Sequence, residues 1–255
     1  MALHLTSTPL ADLLAPAWFL LCWVGYTYYA DRERGQRNLT RVMHAYRSIW
    51  ARQMLERDNR MVDTQIIANL MRSASFFAST TVLIIAGLIA VLGARERAMA
   101  VLAELPFAAQ SSTLLWDLKV LLLIVLFVYA FFKFTWAFRQ YNYCLILVGG
   151  APAPGPLTEA SARIADRLAR IASSTGQHSN RGIRAYYFGL AALSWFVHPW
   201  LFMLLTVWVV LVLYRREFHS RLLRMLSITS EEQAALLPGK PSAPASPKGA
   251  PFSHP

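Results

Sequence analysis

Apolar residues form four long runs along this chain, and arginine-rich segments separate them. The runs cover residues 10–29, 73–92, 114–138 and 186–214. A helix rises about 1.5 Å per residue, so about 20 apolar residues cross the roughly 30 Å hydrocarbon core of a bilayer. Only 15% of the 255 residues are charged, against about a quarter in soluble domains. The pattern predicts an all-α, polytopic membrane protein.

The last apolar run allows two interpretations, because a proline interrupts it near residues 197–199. As one straight helix, residues 186–214 would extend about 43 Å, longer than the hydrocarbon core. The run is either one kinked helix or a helical hairpin. Arg181 and Arg184 precede it, and further arginines follow from Arg215. Arginine-rich flanks stay in the cytoplasm, which favours the hairpin and five transmembrane helices; a kinked helix would give four.

Two arginine-rich segments, residues 31–60 and 157–171, repeat their apolar residues at helical spacing. They are predicted to be cytoplasmic amphipathic helices that lie on the membrane surface or pack under the bundle. Thr158 is a candidate cap for the second, which we expect to end near residues 175–176. The candidate ligands for anionic lipid headgroups are Arg37, Arg41, Arg52, Arg163, Arg167 and Arg170.

The segment 56–94 begins as a charged stretch and becomes the second span with no obvious helix breaker. If it is one helix, Asp58, Gln65, Asn69 and Arg72 fall near one face. Such a polar stripe needs a polar environment. It would line an aqueous vestibule if it faced other copies of the chain, or form a structural seam if it faced the amphipathic helices.

Other ionisable residues stand near the ends of the predicted spans. Asp117, Lys119 and Lys133 belong to the third span, and Asp12 belongs to the first. Charges within a membrane face a cavity or a partner, whereas long side chains near an interface can reach water. Both interpretations are open for the third span, and we expect Asp12 to be solvated.

The net charge of +11 is explained by the positive-inside rule and by anionic lipids as partners, without nucleic acid. Cys22 and Cys144 are far apart and show no ligand spacing. Of six histidines only His198 lies deep in an apolar run, beside a proline, where we expect it to cap a turn or to lie at the membrane interface. We therefore predict no metal and no cofactor, and an enzymatic activity has no positive support.

The domain prediction is a single integral membrane domain over residues 1–228. Residues 229–255 are rich in Pro, Ala and Ser, and we expect a disordered cytoplasmic tail. The arginine distribution places the N-terminus outside and the C-terminus in the cytoplasm. No cleavable signal peptide is expected, since the N-terminus lacks a basic region.

Two segments carry a resemblance to a known family. They are RERGQRNLTRVMHAYRSIWARQMLERDNRMVDTQIIANLMRSASFFASTT, from residue 32, and the later WFVHPWLF and VLYRREF. The chain resembles the bacterial and plant membrane proteins grouped as domain of unknown function 599, over nearly its whole length except the tail. This resemblance implies a multi-pass protein, here of a bacterial plasma membrane, and assigns no catalytic residue.

The function hypotheses follow from the stripe and the arginines. The first is a homo-oligomeric channel or transporter with a basic, polar cytoplasmic vestibule. The alternative is a non-catalytic membrane organiser that binds anionic lipid or a protein partner through its arginine-rich helices.

Overall fold

The computed structural model describes residues 9–32, 39–103, 112–155 and 158–226, and the regular elements in these ranges are helical. The helices are α1 Pro9–Arg32, α2 Leu39–Glu56, α3 Met61–Gly93, α4 Arg95–Ala103, α5 Thr113–Gly149, α6 Glu159–Leu193, α7 Pro199–Phe218 and α8 Arg221–Leu226. The predicted all-α class is confirmed. The predicted tail, residues 229–255, lies outside the described residues.

Three of these helices, α1, α3 and α5, are long and apolar enough to cross a membrane. Helix α5 lies between α3 and α6, while α6 also packs against α2 and α7, and α1 packs against α7. The two longest, α5 and α6, have 37 and 35 residues, which corresponds to lengths of about 55 Å and about 53 Å. Each is therefore long enough to take part in two separate regions of packing.

Two hydrophobic cores are arranged along α5 and α6. The first, here called the aromatic core, joins α1, α7, the first part of α5 and the last part of α6; its largest members include Phe19, Phe134, Phe188, Trp195 and Phe202. The second, the alanine-rich core, joins α2, the start of α3, the end of α5 and the first part of α6. Its members are Ala51, Met54, Leu55, Ile67, Ala74, Ala137, Tyr141, Cys144, Val148, Ala165, Leu168 and Ala169.

Helix α6 does not end near residues 175–176, contrary to the prediction, but continues to Leu193. Its glycines are sites of close helix packing. A Cβ atom on Gly182 would lie 2.6 Å from the ring of Phe134, and one on Gly189 would lie 2.8 Å from the ring of Phe127. The ring contacts explain why glycine stands at these positions despite its low helix propensity.

The helix predicted from residue 56 onward is in fact broken, since α2 ends at Glu56 and α3 begins at Met61. Polar side chains stabilise both ends. The Asn59 side chain accepts a hydrogen bond from the Met61 backbone N–H at 2.9 Å. Arg60 donates to the carbonyl oxygens of Met54 and Leu55. These contacts satisfy backbone groups that a helix end leaves without partners, which the apolar periodicity could not reveal.

The last apolar region forms two helices that lie side by side. After α6 the chain makes a 3₁₀ turn over Ser194–Phe196, and α7 starts at Pro199. His198 Nδ1 accepts from the Trp200 backbone N–H at 3.3 Å, so the predicted capping role is confirmed. Contacts near the other end of the pair, between Arg184 of α6 and Glu217 of α7, confirm that the chain reverses direction.

Candidate functional site

Three residues of the predicted polar stripe form a connected row on α3. Gln65, Asn69 and Arg72 are all exposed. Gln65 donates to Asn69 Oδ1 at 3.5 Å, and Arg72 Nη2 donates to the same oxygen. The buried residues of α3, such as Ile67 and Ala74, occupy other positions of the helix. The structure thus places the row on the outer surface of the chain, with its cation at the end nearest the apolar part of α3.

Asp58 does not belong to this row. It is exposed and lies in the break between α2 and α3, so the continuous helix on which its place in the stripe depended is absent. The buried acid of this region is Asp63, which the sequence analysis missed. Its side chain is 0% exposed; it accepts from Trp50 Nε1 at 2.7 Å and pairs with Arg57. Asp63 therefore ties α3 to α2 and to the break.

Lys119 is buried and does not reach water, since only 1% of it is exposed. Its ammonium lies 5.5 Å from the ring centroid of Trp195 and 6.0 Å from that of Phe196. Asp12 is also buried, contrary to expectation, and accepts from Trp195 Nε1 at 3.0 Å. Residues from α1, α5 and the 3₁₀ turn thus meet in a small polar cluster at one end of the aromatic core.

The other two ionisable residues of the third span lie nearer the surface. Asp117 pairs with Arg95 of α4 at 3.3 Å, and both side chains are more than a third exposed. Lys133 is half-buried, with its ammonium 4.9 Å from the ring centroid of Tyr129. Of the three, only Lys119 faces the interior of the protein.

A network of four charged residues joins α1, α6 and α7 between the two cores. Arg184 is 4% exposed, and its Nε and Nη2 donate to Glu217 Oε1 and Oε2, each at 2.8 Å. Asp31 accepts from Arg184 Nη1 at 3.2 Å and from Arg181 Nε at 2.8 Å. A bidentate arginine–carboxylate pair is geometrically demanding. The sequence signal was the presence of acids and arginines beside the ends of the apolar runs 10–29 and 186–214, which the positive-inside rule alone treats as solvated.

A polar cavity of about 570 Å³ opens beside this network, between the end of α1, α2 and α6. Arg41 and Arg170 line it with Arg184, and His44 Nδ1 lies 2.8 Å from Ser173 Oγ on its wall. Two of the six predicted lipid ligands are thereby brought together around one opening.

The other predicted lipid ligands are dispersed. Arg52 pairs with Asp166 at 3.4 Å, and Arg163 pairs with Glu159 one turn earlier in α6 at 2.8 Å. Arg167 is exposed on α6. Arg37 lies outside the described residues. Within the described ranges, no group of three or more His, Cys, Asp or Glu side chains could hold a metal ion.

Comparison with known families finds one that matches most of the chain. Residues 14–222 match the family described as "Protein of unknown function, DUF599". The chain belongs to the DUF599 family. The match covers both resemblance segments, all helices from α2 to α7 and most of α1. Comparison with curated proteins and with solved structures finds no match. Membership brings no activity with it, so the function must be argued from the geometry of this chain.

Proposed function

We propose that this DUF599 protein is an oligomeric membrane channel in which α3 of each copy lines an aqueous entrance open to the cytoplasm. The observation that carries the proposal is the hydrogen-bonded row of Gln65, Asn69 and Arg72 on the exposed surface of α3. Arg72 lies at the edge of the most apolar part of α3, and polar and charged groups at the edge of a hydrocarbon core are costly unless they face water or a polar partner. A vestibule between copies would supply both the water and a polar partner.

A path between copies is favoured because side chains fill the aromatic core within one copy. Phe19 contacts Phe188 and Phe202 at centroid distances of 5.7 and 5.2 Å, and Trp195 stacks on Phe202 at 5.2 Å. These rings join α1, α6, α7 and the 3₁₀ turn into a packed interior. Conduction would then need space between subunits.

Helix α3 is the span with the most free surface for such an assembly. In its most apolar stretch 6% of the residues are buried, against 33% in α1 and 39% in α5. Helix α3 packs mainly on α5, with further contacts to α2 through Asp63 and to α6 through Thr81, and its remaining surface is open to lipid or to another copy. Because Arg72 places positive charge in the row, the entrance would favour anions.

The topology that supports this function has five crossings of a bacterial plasma membrane, with the N-terminus outside and the C-terminus in the cytoplasm. Helices α1, α3 and α5 supply three crossings, and the last part of α6 with α7 supplies two. The reversal between α6 and α7 supports this count, since it returns both arginine-flanked ends to one side. The alanine-rich core would then lie in the cytoplasm.

Subunit counting and anion flux together test the proposal. We expect native mass spectrometry of the protein in mild detergent to show four or more copies. Liposomes containing the protein should pass chloride, and Arg72→Ala should lower chloride over potassium selectivity severalfold. Arg215→Ala, which removes an exposed arginine from α7, is the matched control and should leave selectivity unchanged. A monomer, or a flux that Arg72→Ala does not alter, would contradict the assignment.

The cavity lined by Arg41 and Arg170 favours a second candidate function, a membrane organiser that binds anionic lipid headgroups. Native mass spectrometry should then show retained phosphatidylglycerol that is lost in the double variant Arg41→Gln, Arg170→Gln and at high salt, since screening weakens such contacts. Equal retention of neutral and anionic lipid would argue against this function.

A further inference from the structure

Arg47, in the middle of α2, carries a positive charge into the alanine-rich region. Its guanidinium lies so close to α6 that a Cβ atom on Gly176 would be 2.8 Å from Nη2. Burial lowers the pKa of Arg47 below its ordinary value, and the opposing effects come from Tyr141 and Cys144. An ordinary phenol and thiol are largely uncharged at pH 7. Neither group therefore compensates the charge of Arg47.

No carboxylate compensates it within the described residues either. Arg47 takes part in none of the ion pairs formed there. Glu217 is a candidate counter-charge, because it lines a cavity that Arg47 also lines. Both carboxylate oxygens of Glu217 already accept hydrogen bonds from Arg184. Arg47 is half-buried. A partly desolvated charge without a counter-charge is costly, and a bound anion would lower that cost.

Two cavities meet at Arg47. One, of about 180 Å³, lies between α2, α6 and α7, and the other, of about 210 Å³, lies between α2, α3, α5 and α6. Both are lined by Arg47, Gly176, Asn180 and Ile183. Asn180 also lines the larger cavity that holds Arg41 and Arg170. The guanidinium thus stands where small cavities adjoin the basic opening on the surface.

The groups around this junction suit an oxyanion. Arg47 supplies a planar fork of N–H donors, which matches two oxygens of a phosphate or similar group. The side chains of Asn180, Ser179 and Tyr141 can donate further hydrogen bonds. Arg184 and Arg216 line the cavity on the α7 side and add positive charge. Because Glu217 is the one carboxylate in the lining of these two cavities, the junction is net positive.

We propose that Arg47 binds a phosphate-class oxyanion at this junction, either free inorganic phosphate or the phosphate of a lipid headgroup. The inference rests on neither function proposed above, since it needs no assembly of copies and uses neither Arg41 nor Arg170. It assigns Gly176 a specific role, which is to leave room for the guanidinium between α2 and α6.

The thermal midpoint of the purified full chain in detergent tests binding, with inorganic phosphate titrated at constant ionic strength. We expect a saturable rise of about 5 °C at 100 times the Kd. In Arg47→Gln the apparent Kd should increase at least tenfold, while Arg215→Gln should behave as the wild type. Without phosphate, Arg47→Gln should be at least as stable as the wild type, because the substitution removes an uncompensated charge.

Gly176→Ala tests the geometry of the site without removing its positive charge. The variant keeps Arg47, but the added methyl group enters the space that the guanidinium occupies. We expect this variant to bind phosphate severalfold more weakly. A phosphate response of equal size and midpoint in the wild type, Arg47→Gln and Gly176→Ala would overturn the assignment.

Native mass spectrometry distinguishes the two sources of the oxyanion. A saturable response to inorganic phosphate that depends on Arg47 supports the free ion. If inorganic phosphate has no effect, one phospholipid retained per wild-type chain and lost from Arg47→Gln supports the headgroup. Absence of both the phosphate response and the Arg47-dependent lipid would overturn the proposal.

Discussion

The two parts of α6 pack similarly on the inside and differ on the outside. In the first part, Leu168 and Ala169 are buried in the alanine-rich core, and the exposed positions include Arg163, Arg167 and Arg170. In the last part, Phe188 and Ala192 are buried in the aromatic core, and the exposed positions are Leu190 and Leu193. One continuous helix therefore presents a charged outer surface beside the alanine-rich core and an apolar outer surface beside the aromatic core.

The change from one region to the other occurs at the charged network. Arg181 and Arg184 stand between the two parts of α6, and they contact Asp31 at the end of α1 and Glu217 near the end of α7. Arginine side chains are favoured where a helix leaves the hydrocarbon core on the cytoplasmic side, and the two acids pair with them here. The network therefore both joins three helices and marks the proposed cytoplasmic boundary of the membrane.

Glu217→Gln tests this junction and should have the largest effect. It leaves Arg184 buried with one carboxylate fewer, which costs about 3 kcal/mol. The free energy of unfolding, measured by detergent titration of the purified protein, should fall by that order. Glu159→Gln, which removes an exposed partner of Arg163, is the control and should change little. Equal small effects of both substitutions would show that the network does not hold the regions together.

Gly182→Ala tests the close packing of α5 and α6 beside the junction. The added methyl group meets the ring of Phe134, and overpacking of this kind costs about 2 kcal/mol. Gly87→Ala is the matched control, because no atom lies within 4 Å of its added Cβ and alanine has the better helix propensity. The same unfolding measurement checks both. If the Gly182→Ala protein is as stable as the control, α5 and α6 must lie farther apart than the contact between Gly182 and Phe134 requires.

Asp63→Asn tests the contacts beside the alanine-rich core, where Asp63 joins α3 to Trp50 of α2 and to Arg57. Asparagine keeps an acceptor for Trp50 and loses the charge that Arg57 pairs with. A charge-assisted hydrogen bond is roughly twice as strong as a neutral one, so we expect a loss of about 1 kcal/mol in unfolding free energy. Asp58→Asn, at an exposed position two residues after the end of α2, should be neutral; a comparable loss there would refute the assignment of Asp63 as the structural acid.

Arg52→Gln should have the smallest effect of the four. Its pair with Asp166 is partly exposed on both sides, and such pairs contribute less than about 1 kcal/mol. The loss should disappear in 1 M salt, where charges are screened within about 3 Å. A loss that persists in salt would show that Arg52 stabilises the protein through packing.

The sequence predicted the architecture well where one physical signal dominated. Apolar run length identified α1, α3 and α5. Arginines on both sides of residues 186–214 correctly favoured a reversal, and His198 caps the turn as expected. The end of α6 was predicted wrongly because glycines ordinarily stop helices, whereas Gly176 and Gly182 make room for Arg47 and Phe134. That role depends on which side chain faces the glycine.

The candidate site was less predictable from the sequence. Gln65, Asn69 and Arg72 share a surface, as helical spacing required, but Asp58 was separated from them by the break that Asn59 and Arg60 stabilise. The charged network and the burial of Asp12 and Lys119 arise from contacts between residues more than 30 positions apart. Periodicity within one helix carries no information about such contacts.

Cysteine labelling from each side of the membrane shows most directly where the first part of α6 and the turn after α6 lie relative to the bilayer. Single cysteines replace Val197 in the turn or Gln177 in the first part of α6, in a chain whose Cys22 and Cys144 are alanine. A membrane-impermeant maleimide should label Val197→Cys in intact bacterial spheroplasts and Gln177→Cys only after permeabilisation. Labelling of both positions from the same side would contradict a hairpin that crosses the membrane and a cytoplasmic alanine-rich core.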